Sequence, residues 1–248
     1  MLRLYTFNLS HFSEKARWAL DYEGLRYEEK VLLPGPHQLT TRRIGKRTEV
    51  PILQHDDRYV QGSGAIIDYI ADHLQGTKLT PSDPAARSAS LALEQEVDQA
   101  FGRGVQRVIY SVMLPKYRRD VIELWSGNGP SWSRTFYSFT FPVIARVVQQ
   151  MYKTTSPELV ERAKAQFLAT MDKLDAQLAR TPYLGGERPS RLDVTAAALL
   201  GPVCQPKEHH VKWPATPAEL QDFEAQLKVR PTWQHVLRMY REHRRSSR

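Results

Sequence analysis

Only one of the 248 residues is a cysteine, Cys204. That excludes an intramolecular disulfide, a Cys-x-x-Cys redox pair and a cysteine-rich zinc site. A lone cysteine reads instead as a small buried hydrophobe. Long apolar runs are also missing. Nothing approaches the ~18 consecutive apolar residues of a membrane-spanning helix, so no integral membrane segment is expected. Met1-Leu2-Arg3 runs straight into strand-like sequence without the pattern of a secretory leader, and a cytoplasmic protein is the expectation. There is no G-x-x-x-x-G-K-[ST] loop. The glycines on either side of Ser63 flank it immediately, which is not the G-x-S-x-G of a nucleophile elbow. His209-His210, near Cys204 and Glu208, matches no zinc spacing. Adjacent side chains on regular structure point apart, so no metal is expected there.

Acidic charge is in deficit. Against 35 Lys and Arg stand 27 Asp and Glu, a net charge of +8. Part of the surplus sits in the tail Arg241-Glu242-His243-Arg244-Arg245-Ser246-Ser247-Arg248, read as a frayed end. The other basic residues alternate with acidic ones, as on a solvated surface rather than a nucleic-acid stripe, and nucleic acid is not an expected partner. A basic surplus favours small anionic ligands. With 41% hydrophobic and 25% charged residues, the chain has the make-up of a folded globular protein, one large domain or two small ones.

Leu2–Phe7 is short and apolar and reads as a buried strand. A helix follows, with Phe12, Ala16, Ala19 and Leu20 on one stripe, Glu14, Lys15 and Asp21 off it, and Gly24 as its C-terminal stop. Tyr27–Leu33 is a second strand, which makes a right-handed βαβ unit with parallel strands. After a turn at Pro34–His37, residues 38–45 are weakly helical. Glu49–His55 is a strand with Pro51 near its start, and its Val50-Pro51 bond is a candidate for the cis form. It forms a hairpin with Arg58–Val60. Ser63 then reads as the N-cap of a helix over Ala65–Leu74. Residues 75–84 are linker-like, and everything beyond is helical. One long helix or two in line, interrupted near Gly102 and Gly104, is expected over 85–114, with a further helix to Trp125. The aromatic helix through Phe136, Phe139 and Phe141 suits either core packing or a wall of an apolar pocket. Further helix starts are expected at Ser156-Pro157, Ser190-Arg191-Leu192-Asp193, Thr216-Pro217-Ala218-Glu219 and Thr232.

Ser10 is the first candidate for chemistry. It lies at the strand-to-helix turn, where helical N–H groups lack partners and the dipole is positive, a setting that can hold an anion or a thiolate. An ordinary N-cap is the plain alternative. Ser63 has the same two readings, and Gly62 and Gly64 beside it let backbone come close to a ligand.

Taken together, Ser10-His11-Phe12-Ser13-Glu14-Lys15-Ala16-Arg17, Glu49-Val50-Pro51-Ile52-Leu53, Ser63-Gly64-Ala65-Ile66-Ile67 and Ser190-Arg191-Leu192-Asp193 resemble, in order and spacing, the soluble glutathione S-transferases of the Ser type. The resemblance implies a thioredoxin-like α/β domain over residues 1–76 and an all-α domain over 85–248. It implies glutathione as co-substrate, a thiolate stabilised by the Ser10 hydroxyl and attack on a small hydrophobic electrophile. The backbone of Val50 ahead of Pro51 would pair with the cysteinyl part. Ser63, after Gly62, would take the γ-glutamyl carboxylate, and His37, Lys46 or Arg47 the glycyl one. The electrophile would lie near Phe136–Phe141, and the molecule would be a homodimer. The absence of Cys at positions 10 and 13 argues against a disulfide reductase. The alternative is a non-catalytic member of the fold that binds hydrophobic ligands or a partner protein. A weaker one is association of the Arg-rich tail with anionic membrane or nucleic acid.

Overall fold

The computed structural model describes residues 1–76, 79–81 and 83–244. The run Leu2–Phe7 forms β1 and is centred on Leu4 and Tyr5, both buried. Helix α1 (His11–Glu23) leads to β2 (Glu28–Leu32), which pairs parallel to β1. A short α2 (Gln38–Ile44) precedes β3 (Ile52–His55) and β4 (Arg58–Gln61), an antiparallel hairpin turned at Asp56. The sheet order is β2-β1-β3-β4, with β3 antiparallel to β1. Both edge strands carry charged, solvent-facing side chains, the usual guard against edge-to-edge pairing. Helix α3 (Ser63–His73) completes this half.

The second half is all helical: α4 (Pro84–Val97), α5 (Gly104–Lys116), α6 (Arg118–Ser126), α7 (Ser133–Tyr152), α8 (Pro157–Leu178), α9 (Arg191–Cys204), α10 (Ala218–Lys228) and α11 (Pro231–His243). The architecture is thus a small mixed α/β sheet domain followed by an all-α domain. No described helix is long and apolar enough to cross a membrane. Helix α9 is the centre: Arg191–Pro202 is buried throughout and packs against α1, α4 and α11. Ser190 and Asp193 close a capping box at its start, and Asp193 also accepts from Leu184 N–H (2.7 Å) and His235 Nε2 (2.8 Å).

Several local expectations need correction. The expected interruption near Gly102 and Gly104 is a π-helical turn, Asp98–Arg103, between α4 and α5. A Cβ on Gly102 would fall 2.3 Å from Phe12 Cζ, so glycine here admits the ring of Phe12. Thr216 makes no capping box, because its hydroxyl is spent on Glu224, and Glu219 pairs instead with Lys116 and Tyr117. Thr232 is not the cap of α11: its N–H and hydroxyl both donate to Asp175 of α8, which does the capping from outside. The tail is not wholly frayed, since the Arg244 side chain is buried between Glu14 and Asp21. Residues 245–248 lie outside the described residues.

The polar side of α1 does not face solvent. Glu14, Lys15, Arg17 and Asp21 are all buried. Lys15 Nζ meets Glu94 (2.7 Å) and Asp98 (2.8 Å), and Arg17 meets Glu29 (2.5 Å). Helix α1 thus carries ion pairs to both halves, Arg17 to Glu29 of β2 and Lys15 to Glu94 of α4, and joins the two.

Candidate active site

The β1–α1 turn presents Ser10. Its hydroxyl accepts the Ser13 N–H at 3.2 Å, which satisfies one orphan donor of α1. A hydroxyl that accepts still has its own proton to donate, and Ser10 lines a cleft of about 1490 Å³ between the two halves. Ser13 is different. It is fully buried and its Oγ accepts from Phe7 N–H, so it braces the turn and does not meet the cleft.

Val50, Pro51, Gly62, Ser63, His37 and Arg47 line the same cleft. The Val50-Pro51 bond is cis, and Val50 N–H and C=O make no backbone hydrogen bond among the described residues. Gly62, rather than Ser63, is the N-cap of α3. Its φ of 102° is open to glycine and strained for other residues. That conformation turns Ser63 into the first helical residue. Its hydroxyl has no partner among the described residues, and a Cβ on Gly62 or Gly64 would meet nothing within 4 Å. An open helix N-terminus with a free hydroxyl suits a carboxylate.

His37 is not available as a ligand. Its Nδ1 accepts from Gly35 N–H (3.0 Å), so Nε2 is the protonated nitrogen and donates to Thr48 O (2.8 Å). The ring ties two loops together, and of the three residues expected to serve the glycyl carboxylate the exposed Arg47 and Lys46 remain. Glu49 sets a negative charge there, flanked by Arg47 at 3.8 Å and by Arg103 at 3.9 Å. The sequence reading missed Gln61. Its Oε1 accepts from Lys46 and Arg47 N–H, and its Nε2 donates to Arg47 and Glu49 C=O. Those four bonds hold the loop that delivers Val50. Its only signal in the sequence is its place at the end of β4, just before Gly62.

The far wall also differs from expectation. Phe141 is core, Phe139 is 83% exposed, and neither they nor Phe136 line the cleft. One to three turns further along α7, Val143, Ile144, Val147, Val148 and Met151 form the wall, opposite Tyr110, Met113 and Trp125. Trp125 Nε1 donates to Tyr110 Oη at 3.3 Å. His11, beside Ser10, is buried. Burial lowers its pKa to about 4 against a backbone hydrogen bond to Gly102 that raises it, which keeps the ring neutral.

His209 and His210 do not point apart. They lie on an irregular loop after α9, their rings stack at 4.7 Å, and both stand beside Glu14. The donor set does not suit a cation. His209 Nδ1 accepts Val211 N–H, which leaves Nε2 protonated, and Glu14 already meets Arg244 at 2.6 Å and Arg17 at 3.4 Å. His210 Nε2 donates to Asn8 C=O at 2.9 Å, and Asn128 Nδ2 donates to Asn8 Oδ1 at 3.0 Å. Two loops of the helical half therefore grip the turn that carries Ser10.

Comparison with known proteins agrees with this layout. Residues 4–78 match the profile of the glutathione S-transferase N-terminal domain, and residues 157–224 that of the glutathione S-transferase C-terminal domain. The chain is 24% identical over 194 residues to a glutathione S-transferase of Pseudomonas putida, covering 78% of this chain and 71% of the relative. The fold is similar to the β-etherase LigF of Sphingobium sp. strain SYK-6, with a TM-score of 0.63 and 20% identity over 96% of this chain and 98% of that one. It is also similar to a glutathione S-transferase of Ceriporiopsis subvermispora in complex with glutathione, with a TM-score of 0.63 and 16% identity over 98% of each chain.

Proposed function

This chain belongs to the glutathione S-transferase superfamily, and on that premise we propose that it activates the thiol of glutathione for attack on a hydrophobic electrophile. The observation that carries this is the Ser10 hydroxyl, which accepts from Ser13 N–H, keeps its proton for a thiolate and shares a cleft with the unpaired Val50 peptide and the open start of α3. Glutathione supplies the nucleophilic sulfur. The chain's own groups bind and orient it. Ser63 and the N–H groups of α3 take the γ-glutamyl carboxylate, the Val50 peptide pairs with the cysteinyl backbone, and Arg47 or Lys46 takes the glycyl carboxylate. The Ser10 O–H and the positive end of α1 favour the ionised sulfur. The sulfur forms the new bond to carbon, the leaving group departs with its electron pair, and the thiol proton passes to water. A β-etherase among the structural neighbours accords with displacement at carbon. Residues 1–76 act as the glutathione half and residues 85–248 as the electrophile half of a cytoplasmic homodimer.

Ser10→Ala tests the reading. Loss of one donor aimed at developing negative charge lowers kcat by roughly 10²–10³-fold, and loss of the cap costs about 1 kcal/mol of stability. Retained turnover in Ser10→Ala would reduce Ser10 to a cap. A second reading, a non-catalytic member of the fold that binds hydrophobic ligands or a partner, draws on the exposed Phe139, Val143 and Met151 of α7. It predicts ligand binding with no turnover in the wild type.

A further inference from the structure

Among the described residues, two of the cations that line the cleft, the half-buried Arg107 and the exposed Lys153, meet no acidic side chain. Each acid that lines the cleft has a basic partner: Asp98 has Lys15, Glu224 has Lys228 at 2.9 Å, and Glu49 has Arg47 and Arg103. Arg107 has none. Among the described residues its only partner is a carbonyl, Tyr152 O, which takes its Nε–H at 2.7 Å. That bond fixes the half-buried guanidinium and leaves its terminal nitrogens for something else.

Its surroundings say what that something is. Arg103, Arg107 and Tyr110 follow at helical spacing and all line the cleft. Arg103 reaches the Glu49 loop, on the side where Val50 lies. Arg107 stands one turn beyond, about 5.4 Å along the axis, and so faces the other part of the cleft. There the ring of Tyr110 lies 5.9 Å from that of Tyr152 and 6.5 Å from that of Trp125. Lys153, next to Tyr152, also lines the cleft and adds a second positive charge. A guanidinium held by one nitrogen beside an aromatic box matches a flat ring with a carboxylate on its edge, because its remaining N–H groups offer the fork that a carboxylate accepts. An uncharged ligand offers that fork no charged acceptor.

We infer that the electrophile is an aromatic acid, whose ring rests on Tyr110 and Tyr152 and whose carboxylate is held by Arg107. This rests on the glutathione-transferase reading above, and it makes Arg107 a specificity residue rather than part of thiol activation.

A matched pair of electrophiles tests it: a chloronitrobenzoate with chlorine para and nitro meta to the carboxylate, and the corresponding benzamide. In both, the thiolate forms a C–S bond, chloride leaves with the C–Cl electron pair and the thiol proton goes to water. Arg107→Gln should raise KM for the benzoate roughly 10- to 100-fold, as expected for a lost charge-assisted hydrogen bond. It should leave KM for the benzamide and for glutathione unchanged, and Arg107→Lys should restore part of the loss. Equal effects on both electrophiles would overturn the inference. So would a rise in KM for glutathione instead, which would assign the guanidinium to the tripeptide. Calorimetric titration with the benzoate alone gives a readout that needs no turnover. Tighter binding of benzoate than benzamide, abolished in Arg107→Gln, supports the inference even in a protein that turns over neither compound. Equal binding of the two overturns it. Failure of the wild type to bind glutathione would sink the transferase reading separately.

Discussion

Ser10 caps α1 through its oxygen and has its proton left for the cleft. The two readings of that serine are therefore compatible, and only function separates them. The neighbouring histidines are a second matter decided by single residues. Burial lowers the pKa of His11 and of His209 to about 4, in His209 against the pull of Glu14 in the other direction. In the unfolded chain both take up a proton as pH falls through about 6.5. In the folded protein they do not until about 4. Across that window the unfolded state binds more protons, so stability falls as pH falls, by about 1.4 kcal/mol per pH unit for each histidine. His37 and His210, also lowered by burial, act in the same sense. Urea midpoints at pH 7 and pH 5 should show the acid loss, and His209→Asn should shrink it. Equal midpoints at the two pH values would contradict this assignment.

At the scale of elements, the start of α9 is the most exacting. Asp193 is fully buried, and its carboxylate accepts from three backbone N–H groups, the Ser190 hydroxyl and His235. Burial raises its pKa, and the bonds from His235, Ser190 and Leu184 outweigh that and lower it. Asp193→Ala leaves those donors buried without an acceptor. It should destabilise the protein by roughly 3–5 kcal/mol, measured by chemical denaturation, while Ser190→Ala costs only about 1 kcal/mol. This capping box was legible in the sequence because it is local, as were the strands, the hairpin and the starts of α1 and α8. Thr216 and Thr232 carry the same local signal and do not cap, because Glu224 and Asp175 compete for them from other helices. The π-helical turn was visible only as an interruption near Gly102. Gly102 within that turn admits the ring of Phe12, a contact between residues 90 positions apart that no local pattern encodes.

Over the whole molecule the site depends on contacts that no local pattern encodes. Ser10, Val50 and Ser63 line one cleft, and the sequence offered them as a set only through the family resemblance of the segments that carry them. The grip of His210 and Asn128 on Asn8 was not legible, since it spans 202 and 120 positions. Nor was the buried pairing of Glu14 with Arg244, across 230 positions. Adjacent His209 and His210 stack because their loop is irregular, which a rule drawn from regular structure does not cover. The grip leads to a prediction: His210→Ala frees one side of the Ser10 turn and should lower kcat/KM roughly tenfold with little change in melting temperature, while His210→Gln, which can still donate to Asn8 C=O, should recover most of it. A melting temperature that falls in step with activity in both variants would make His210 merely structural.

On the proposed function, the Ser10 hydroxyl and the start of α1 ionise a bound thiol. The most direct measurement is a pH titration of the thiolate absorbance of glutathione bound to the wild type and to Ser10→Ala. The predicted result is a thiol pKa in the wild type at least about one unit below the ~8.5 of a free thiol, returning toward that value in Ser10→Ala. The same titration curve for the two proteins, or for bound and free glutathione, would contradict it.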